Sequence, residues 1–199
     1  MSTLKASSAR GRRLRVLVAC EFSGRVRDAF IERGHDAWSA DLLPSMSKRG
    51  PHFQGDCRAL LRKPGQWDLL IAHPPCTHLA VSGARHFEAK RASGVQDEAL
   101  DFFLELLTSP VPAICCENPV SIVSSRIRKP DQVVQPWQFG HGETKATCLW
   151  LEGLPKLQPT NVVPGREAVV HRMPPGPDRW KFRSMTYPGI AAAMAAAWG

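Results

Sequence analysis

At 199 residues and 43% hydrophobic side chains, the chain can bury a core of its own, and one compact domain is expected. No apolar run reaches the roughly 18 residues that cross a bilayer, and no signal-peptide-like stretch opens the sequence, so a cytoplasmic, membrane-free monomer is expected. Lys and Arg number 26 against 18 Asp and Glu, a formal charge of +8 that favours a polyanionic partner, while six cysteines without CxxC pairs and scattered histidines indicate neither a disulfide framework nor a metal.

Residues 1–13 combine small residues with Lys5, Arg10, Arg12 and Arg13, and read as a flexible basic tail ahead of a domain over 14–199. The run from Arg15 to Cys20 predicts a buried strand, and Ser23-Gly24 turns the chain into a helix ending near Gly34. His35 to Ala40 predicts a second strand ending at Asp41. Trp67 to Ala72 predicts a third, stopped by Pro74-Pro75, which sets Cys76 just beyond a strand end.

Residues 96–108 carry apolar positions at helical spacing with acidic residues opposite, and Val111 to Cys116 follows as a strand that Glu117-Asn118-Pro119 ends. From Pro155 to Pro177 loops are expected, and over 189–198 an Ala-rich helix. Alternation of this kind predicts an α/β fold, a mostly parallel sheet covered on both faces that binds ligands beyond the carboxyl ends of its strands. Glu21, Asp41, Cys76 and Glu117 all fall at such ends.

A thiolate fixed by two prolines suits one demanding reaction. Cytosine C5 is a poor nucleophile until a thiolate adds at C6, and that addition is helped by an acid at N3, for which Glu117 is the natural donor. Pro74-Pro75-Cys76 resembles the catalytic Pro-Pro-Cys of the DNA cytosine-C5 methyltransferases, and Glu117-Asn118-Pro119 resembles their Glu-Asn-Val, within ordered motifs from about 16 to 151. An amino-methyltransferase would end the corresponding motif with an aromatic residue instead of Cys76.

That resemblance implies a Rossmann-like class I methyltransferase fold, S-adenosylmethionine as cofactor and double-stranded DNA as partner. On the cofactor side, Glu21, Phe22, Ser23 and Gly24 stand where the family has a glycine-rich loop. Asp41 is similar to the ribose-binding acid, with Leu42 beneath the adenine, Asp56 to the residue reading the adenine amino group, and Pro74 to a further cofactor contact. Ser82-Gly83 matches the start of the family's mobile catalytic loop, so residues 83–96 would close over an extruded base, with Ser82, Arg85, Lys90 and Arg91 meeting the nucleic acid.

Two departures stand out. Residues 139–150 resemble a family segment whose two arginines are here Lys145 and Thr147; Arg126, Arg128 and Lys145 are the candidate substitutes, Lys145 as part of the catalytic set. Only about 152–185 is available for target recognition, implying a one- or two-base context read by loops in which His171, Arg172, Arg179, Lys181 and Arg183 are contacts. A free deoxycytidine nucleotide, RNA, or a decayed binding module are the rival readings, and a stripped-down enzyme of this kind would fit a virus or mobile element.

Overall fold

The computed structural model describes residues 12–199. Arg15–Ala19 (β1), Asp36–Asp41 (β2), His52–Gln54 (β3), Leu69–Ala72 (β4), Ala113–Pro119 (β5), Gln132–Val134 (β6) and Thr147–Glu152 (β7) form one seven-stranded sheet in the order β3-β2-β1-β4-β5-β7-β6. The first five strands are mutually parallel, and β7 lies antiparallel to both β5 and β6. This is the mostly parallel Rossmann-like sheet expected, with the antiparallel β6–β7 hairpin of the class I methyltransferase fold.

Alternation along each strand sends side chains to opposite faces, and both faces are buried. Val16, Val18, Leu69, Ile71 and Leu149 pack with Val26 and Phe30 of Arg25–Glu32 (α1) and with Ile190, Met194 and Trp198 of Pro188–Trp198. Leu17, Ala19, Leu70, Ala72 and Cys116 pack on the other face with Leu100, Phe103 and Leu106 of Val95–Leu107, where Phe103 meets Trp150 edge to face at 5.0 Å. Cys57, Cys115, Cys116 and Cys148 are buried free thiols, as expected of core cysteines.

Five short helices complete the chain before its C-terminal one. In order the helices are α1, Arg58–Leu61 (α2), Phe87–Ala92 (α3), Val95–Leu107 (α4), Val123–Arg126 (α5), Val169–Arg172 (α6), Arg179–Ser184 (α7) and Pro188–Trp198 (α8), with 3₁₀ turns at Val81–His86 and Pro136–Gln138. Residues 83–96, expected as a loop, are thus largely helical. Glu117-Asn118-Pro119 does not end its strand: β5 runs through Pro119 because β7 pairs with it there, Glu117 opposite Leu149 and Pro119 opposite Thr147. The basic tail lies mostly outside the described residues, but Arg12 is not loose, since it pairs with Asp68 at 2.6 Å.

Arg27 anchors the excursion between β2 and β3. Its fully buried guanidinium donates to Ser39 Oγ at 2.9 Å and to the Ser47 carbonyl at 3.2 Å, and pairs with Asp28 at 2.7 Å. Gly24, at φ +74°, lies so close to it that a Cβ there would meet Arg27 Nη2 at 2.5 Å and Ser47 Cβ at 2.8 Å.

Candidate active site

The parallel strands β1, β2 and β4 end on one edge of the sheet, and two hollows open there. The first is a cleft of about 590 Å3, within the usual size range of cofactor sites, lined by Cys20, Asp41, Leu42, Asp56, Cys57, Pro75 and the acidic face of α4. Asp41 uses Oδ1 to accept the Leu43 N–H at 2.9 Å, leaving its second oxygen for a ligand. Leu42 is 74% exposed at the rim, an apolar platform without a partner among the described residues.

Other predicted cofactor residues are placed differently. Asp56 is held by Arg58, whose guanidinium lies 2.5 Å away and pulls its carboxyl below the usual range, so part of its acceptor capacity is already used. Glu21 is buried and turned inward: its carboxylate accepts from Val26 N at 2.7 Å, Arg27 N at 3.2 Å and Ser23 Oγ at 3.2 Å, capping α1. Phe22 and Ser23 are buried beside it. The glycine missing from this turn has a stand-in: Cys20 itself adopts φ +58°, in the left-handed region that L residues seldom enter.

The second hollow, at Glu117, lies next to the turn that carries Cys76. The Cys76 carbonyl accepts from Leu79 N at 3.0 Å and Ala80 N at 2.9 Å, forming a tight turn directly after the prolines. That turn is locked to the end of β5 by two side-chain bonds, Asn118 Nδ2 to the Pro74 carbonyl at 2.9 Å and His73 Nδ1 to Glu117 Oε2 at 2.9 Å. Gln96, buried at the start of α4, adds a third by donating to the His78 carbonyl at 3.0 Å. Pairing of Ala80 with Ser121 completes the clamp.

Lys145 comes to the same place. Its half-buried ammonium donates to the Met185 carbonyl at 3.2 Å, and with Glu117, Thr147 and Tyr187 it lines a cavity of about 10 Å3, room for about one water. Burial pushes the Lys145 ammonium down, against the opposing pull of Glu117 and Cys76. Burial and the Glu117 charge push the Cys76 thiol up, while Lys145 and Arg183 draw it back. For Glu117 burial acts upward, but the His73 bond and the positive charges of His73 and Lys145 prevail and hold its carboxyl below the ordinary value.

The predicted nucleic-acid residues divide. Ser82, Arg85 and Arg91 are exposed on the segment after Cys76, and Lys90 reaches back to the Thr77 carbonyl at 2.5 Å. Arg172 is exposed on α6. Lys181 pairs with Asp178 at 2.8 Å. Arg126 pairs with Asp97 at 3.6 Å on the rim. Arg128 is a correction: it bonds Asp131 at 2.6 Å and Glu152 at 2.8 Å, and Glu152 pairs with Ile114 at the opposite end of β5 from Glu117. It therefore fastens the β6–β7 hairpin and cannot replace an arginine in the site.

Sequence reading passed over the tethers. Asn118 and Gln96 carried no signal beyond lying in or near a motif. Trp180 of α7, flanked by Arg179 and Lys181, packs on Phe22 with ring centroids 5.7 Å apart, which brings α7 over the turn after β1.

No family model and no curated protein matches the chain. Solved structures do. A prophage-encoded E. coli protein described as a DNA modification methyltransferase superposes with TM-score 0.47 at 11% identity, covering 76% of this chain and 52% of its own. The S. pombe Dnmt2 methyltransferase gives 0.44 at 15% identity, with 73% and 51% covered. The Entamoeba histolytica methyltransferase EhMeth gives 0.45 at 13% identity, with 83% and 61% covered. The chain spans about half the length of the first two of these proteins, and at such identity none assigns a role to a residue of this chain. Among the described residues, no helix is long and apolar enough to cross a membrane, and no group of three or more metal-binding side chains converges.

Proposed function

We propose that the protein is a DNA cytosine-C5 methyltransferase, with residues 14–199 as its catalytic unit and 152–185 as a reduced recognition segment. The observation that carries this reading is the fastening of the Cys76 turn to the end of β5, through Asn118 and Pro74 and through Glu117 and His73. A nucleophile and an acid are thereby held on one rigid support beside a cleft of cofactor size.

The residues of that cleft fit S-adenosylmethionine: Asp41 has a carboxylate oxygen for ribose hydroxyls, Leu42 an exposed apolar face, and the acidic side of α4 suits a cationic ligand. When bound, S-adenosylmethionine supplies an electrophilic methyl group. Cys76 Sγ would add to C6 of an extruded cytosine, Glu117 would hold a proton at N3 while the ring carries extra charge, and Lys145 would stabilise both the thiolate and the carboxylate. After loss of the C5 proton, elimination restores Cys76. The excess positive charge of +8 supports a duplex partner over a free nucleotide.

Transfer of labelled methyl from S-adenosylmethionine to duplex DNA, single-stranded DNA, tRNA and dCMP, assayed side by side, tests the reading. Duplex DNA should be methylated, at C5 by bisulfite sequencing, and Cys76→Ala should abolish transfer. A fully active Cys76→Ala variant would overturn the mechanism. Preference for tRNA or dCMP would overturn the substrate.

A further inference from the structure

His73 stands three residues before Cys76, at the point where the chain leaves β4. Its backbone N–H donates to the Ala19 carbonyl at 2.9 Å, continuing the β1–β4 pairing for one more residue, so the imidazole is not free to wander. The ring is nearly closed off from solvent, with 9% of the side chain exposed. Nδ1 lies 2.9 Å from Glu117 Oε2. Nε2 is buried and has no partner among the described residues. A buried ring nitrogen without a partner, on an imidazole whose other nitrogen bonds a candidate acid, is uncommon in a settled core and calls for a functional explanation.

The arrangement meets a specific need. An ionised carboxylate only accepts hydrogen bonds, yet assistance at N3 requires a donor. Glu117 is held toward its ionised form by its own neighbours, so a proton must be stored beside it and delivered when the ring becomes electron-rich. The charged and titratable groups around the pair are Lys145 from the turn before β7, Cys148 on β7, Cys115 on β5, Cys76 on the same turn as His73, and Arg183 from α7.

We propose that His73 is a positioning residue that stores the N3 proton, passing it through Glu117. This rests on the cytosine-C5 reading. As Cys76 S⁻ forms its bond to C6, the C5=C6 π electrons shift through C4 toward N3. His73 Nδ1 gives its proton to the Glu117 carboxylate, and the carboxyl so formed gives a proton to N3, leaving neutral imidazole and carboxylate. After methylation at C5 a water takes the C5 proton, the electrons of that C–H bond form C5=C6 while the S–C6 pair leaves with Cys76 Sγ, and the N3 proton goes back by the same route. Thiolate, carboxylate and imidazolium are all restored, and no outside oxidant or reductant is required.

His73→Asn is the informative variant, because an asparagine Nδ2 can occupy the place of Nδ1 and keep the bond to Glu117 but cannot release a proton. The readout is covalent adduct formation on a duplex oligonucleotide carrying 5-fluorocytosine with S-adenosylmethionine present, measured from pH 5.5 to 9, alongside KM for unmodified duplex. The expected result is a folded protein with KM within about threefold of wild type, an adduct rate lowered on the order of 100-fold, and loss of the decline in rate toward high pH that depletion of the stored proton causes in the wild type. In a Glu117→Gln background, whose amide donates permanently, His73→Asn should cost no more than about a further factor of two. That second comparison stands if the single variant folds poorly, with His73→Gln in its place. Adduct formation by His73→Asn at the wild-type rate and with the wild-type pH profile overturns the storage role while leaving the cytosine-C5 reading intact. Wild-type protein that forms no adduct overturns both.

Discussion

Trp180 packs on Phe22 at 5.7 Å and so holds α7, with its run Arg179-Trp180-Lys181-Phe182-Arg183, against the turn that follows β1. A basic helix carrying two half-exposed aromatic rings is thereby stationed beside the Cys76 turn, to which Lys145 ties the next residue along through the Met185 carbonyl. Aromatic rings stack on bases and the cations among them meet phosphates. Trp180→Ala should therefore weaken duplex binding by roughly tenfold, from a stacking contribution of about 1–3 kcal/mol partly offset by the remaining basic residues. Fluorescence anisotropy with a labelled duplex measures this, and unchanged affinity would place DNA elsewhere on the surface.

Under the cytosine-C5 reading, Arg183 is the candidate for the arginine that Thr147 replaces. It is half-buried, makes no ion pair among the described residues, and acts electrostatically on both Cys76 and Lys145. Arg183→Met should lower kcat for duplex methylation by about 10- to 100-fold, the span expected for one lost charge-assisted contact in the transition state. Arg128→Met should reduce stability and leave kcat of the folded enzyme nearly unchanged. Steady-state kinetics of the two variants, with melting curves, separates the roles.

The pH dependence of the wild type has a defined sign. The Cys76 thiol lies above its ordinary value, chiefly from burial and then from Glu117, so thiolate forms only as pH rises and the acid side of the pH–rate profile should ascend. Lys145 opposes that shift. Lys145→Met removes a charge that favours the thiolate, so the ascending limb should move to higher pH and the rate at pH 7 should fall. A pH–rate profile of kcat/KM for both proteins checks the direction. A limb that moved to lower pH would show that Lys145 does not act on Cys76.

Arg27 makes a stability prediction with no catalytic content. Arg27→Met would fill most of the volume but leave Asp28, Ser39 and the Ser47 carbonyl without their buried partner. A loss of about 3 kcal/mol follows from breaking a buried charged network, on the order of a 10 °C fall in melting temperature at this chain length. Differential scanning calorimetry measures it.

Gly189 is equally specific. A Cβ at this position would lie 1.8 Å from the Phe139 carbonyl oxygen, and the Gly189 N–H donates to His141 Nε2 at 3.1 Å. Gly189→Ala must displace α8 from the segment before β7, and with it Tyr187, whose hydroxyl donates to Glu143 at 2.5 Å. Reduced thermal stability together with loss of methyl transfer is expected, since Tyr187 and Lys145 share one cavity lining. Retention of both would mean that the helix start can shift without cost.

The amino-acid sequence by itself determined the strands β1, β2 and β4, the helices α1, α4 and α8, and the position of Asp41 at the end of one strand and of Cys76 beyond another, because unbroken apolar runs and turn residues are local signals. Proximity of the candidate acid to the candidate nucleophile could be named from motif resemblance, but its geometry could not. β5 continues through Glu117-Asn118-Pro119 only because β7, distant in the chain, supplies the hydrogen bonds that would otherwise be missing at its end. Arg128 and Lys145 look alike as cations in a sequence, yet the antiparallel course of β7 sends Arg128 to one end of the sheet with Glu152 and leaves Lys145 at the other with Glu117. The pairing of His73 with Glu117, 44 residues apart, is decided in the same way, by parallel register that sets Ala72 beside Cys116 and so brings the next residue of each strand together. Local chemistry chose the strands, and long-range hydrogen bonding chose which side chains meet at their ends.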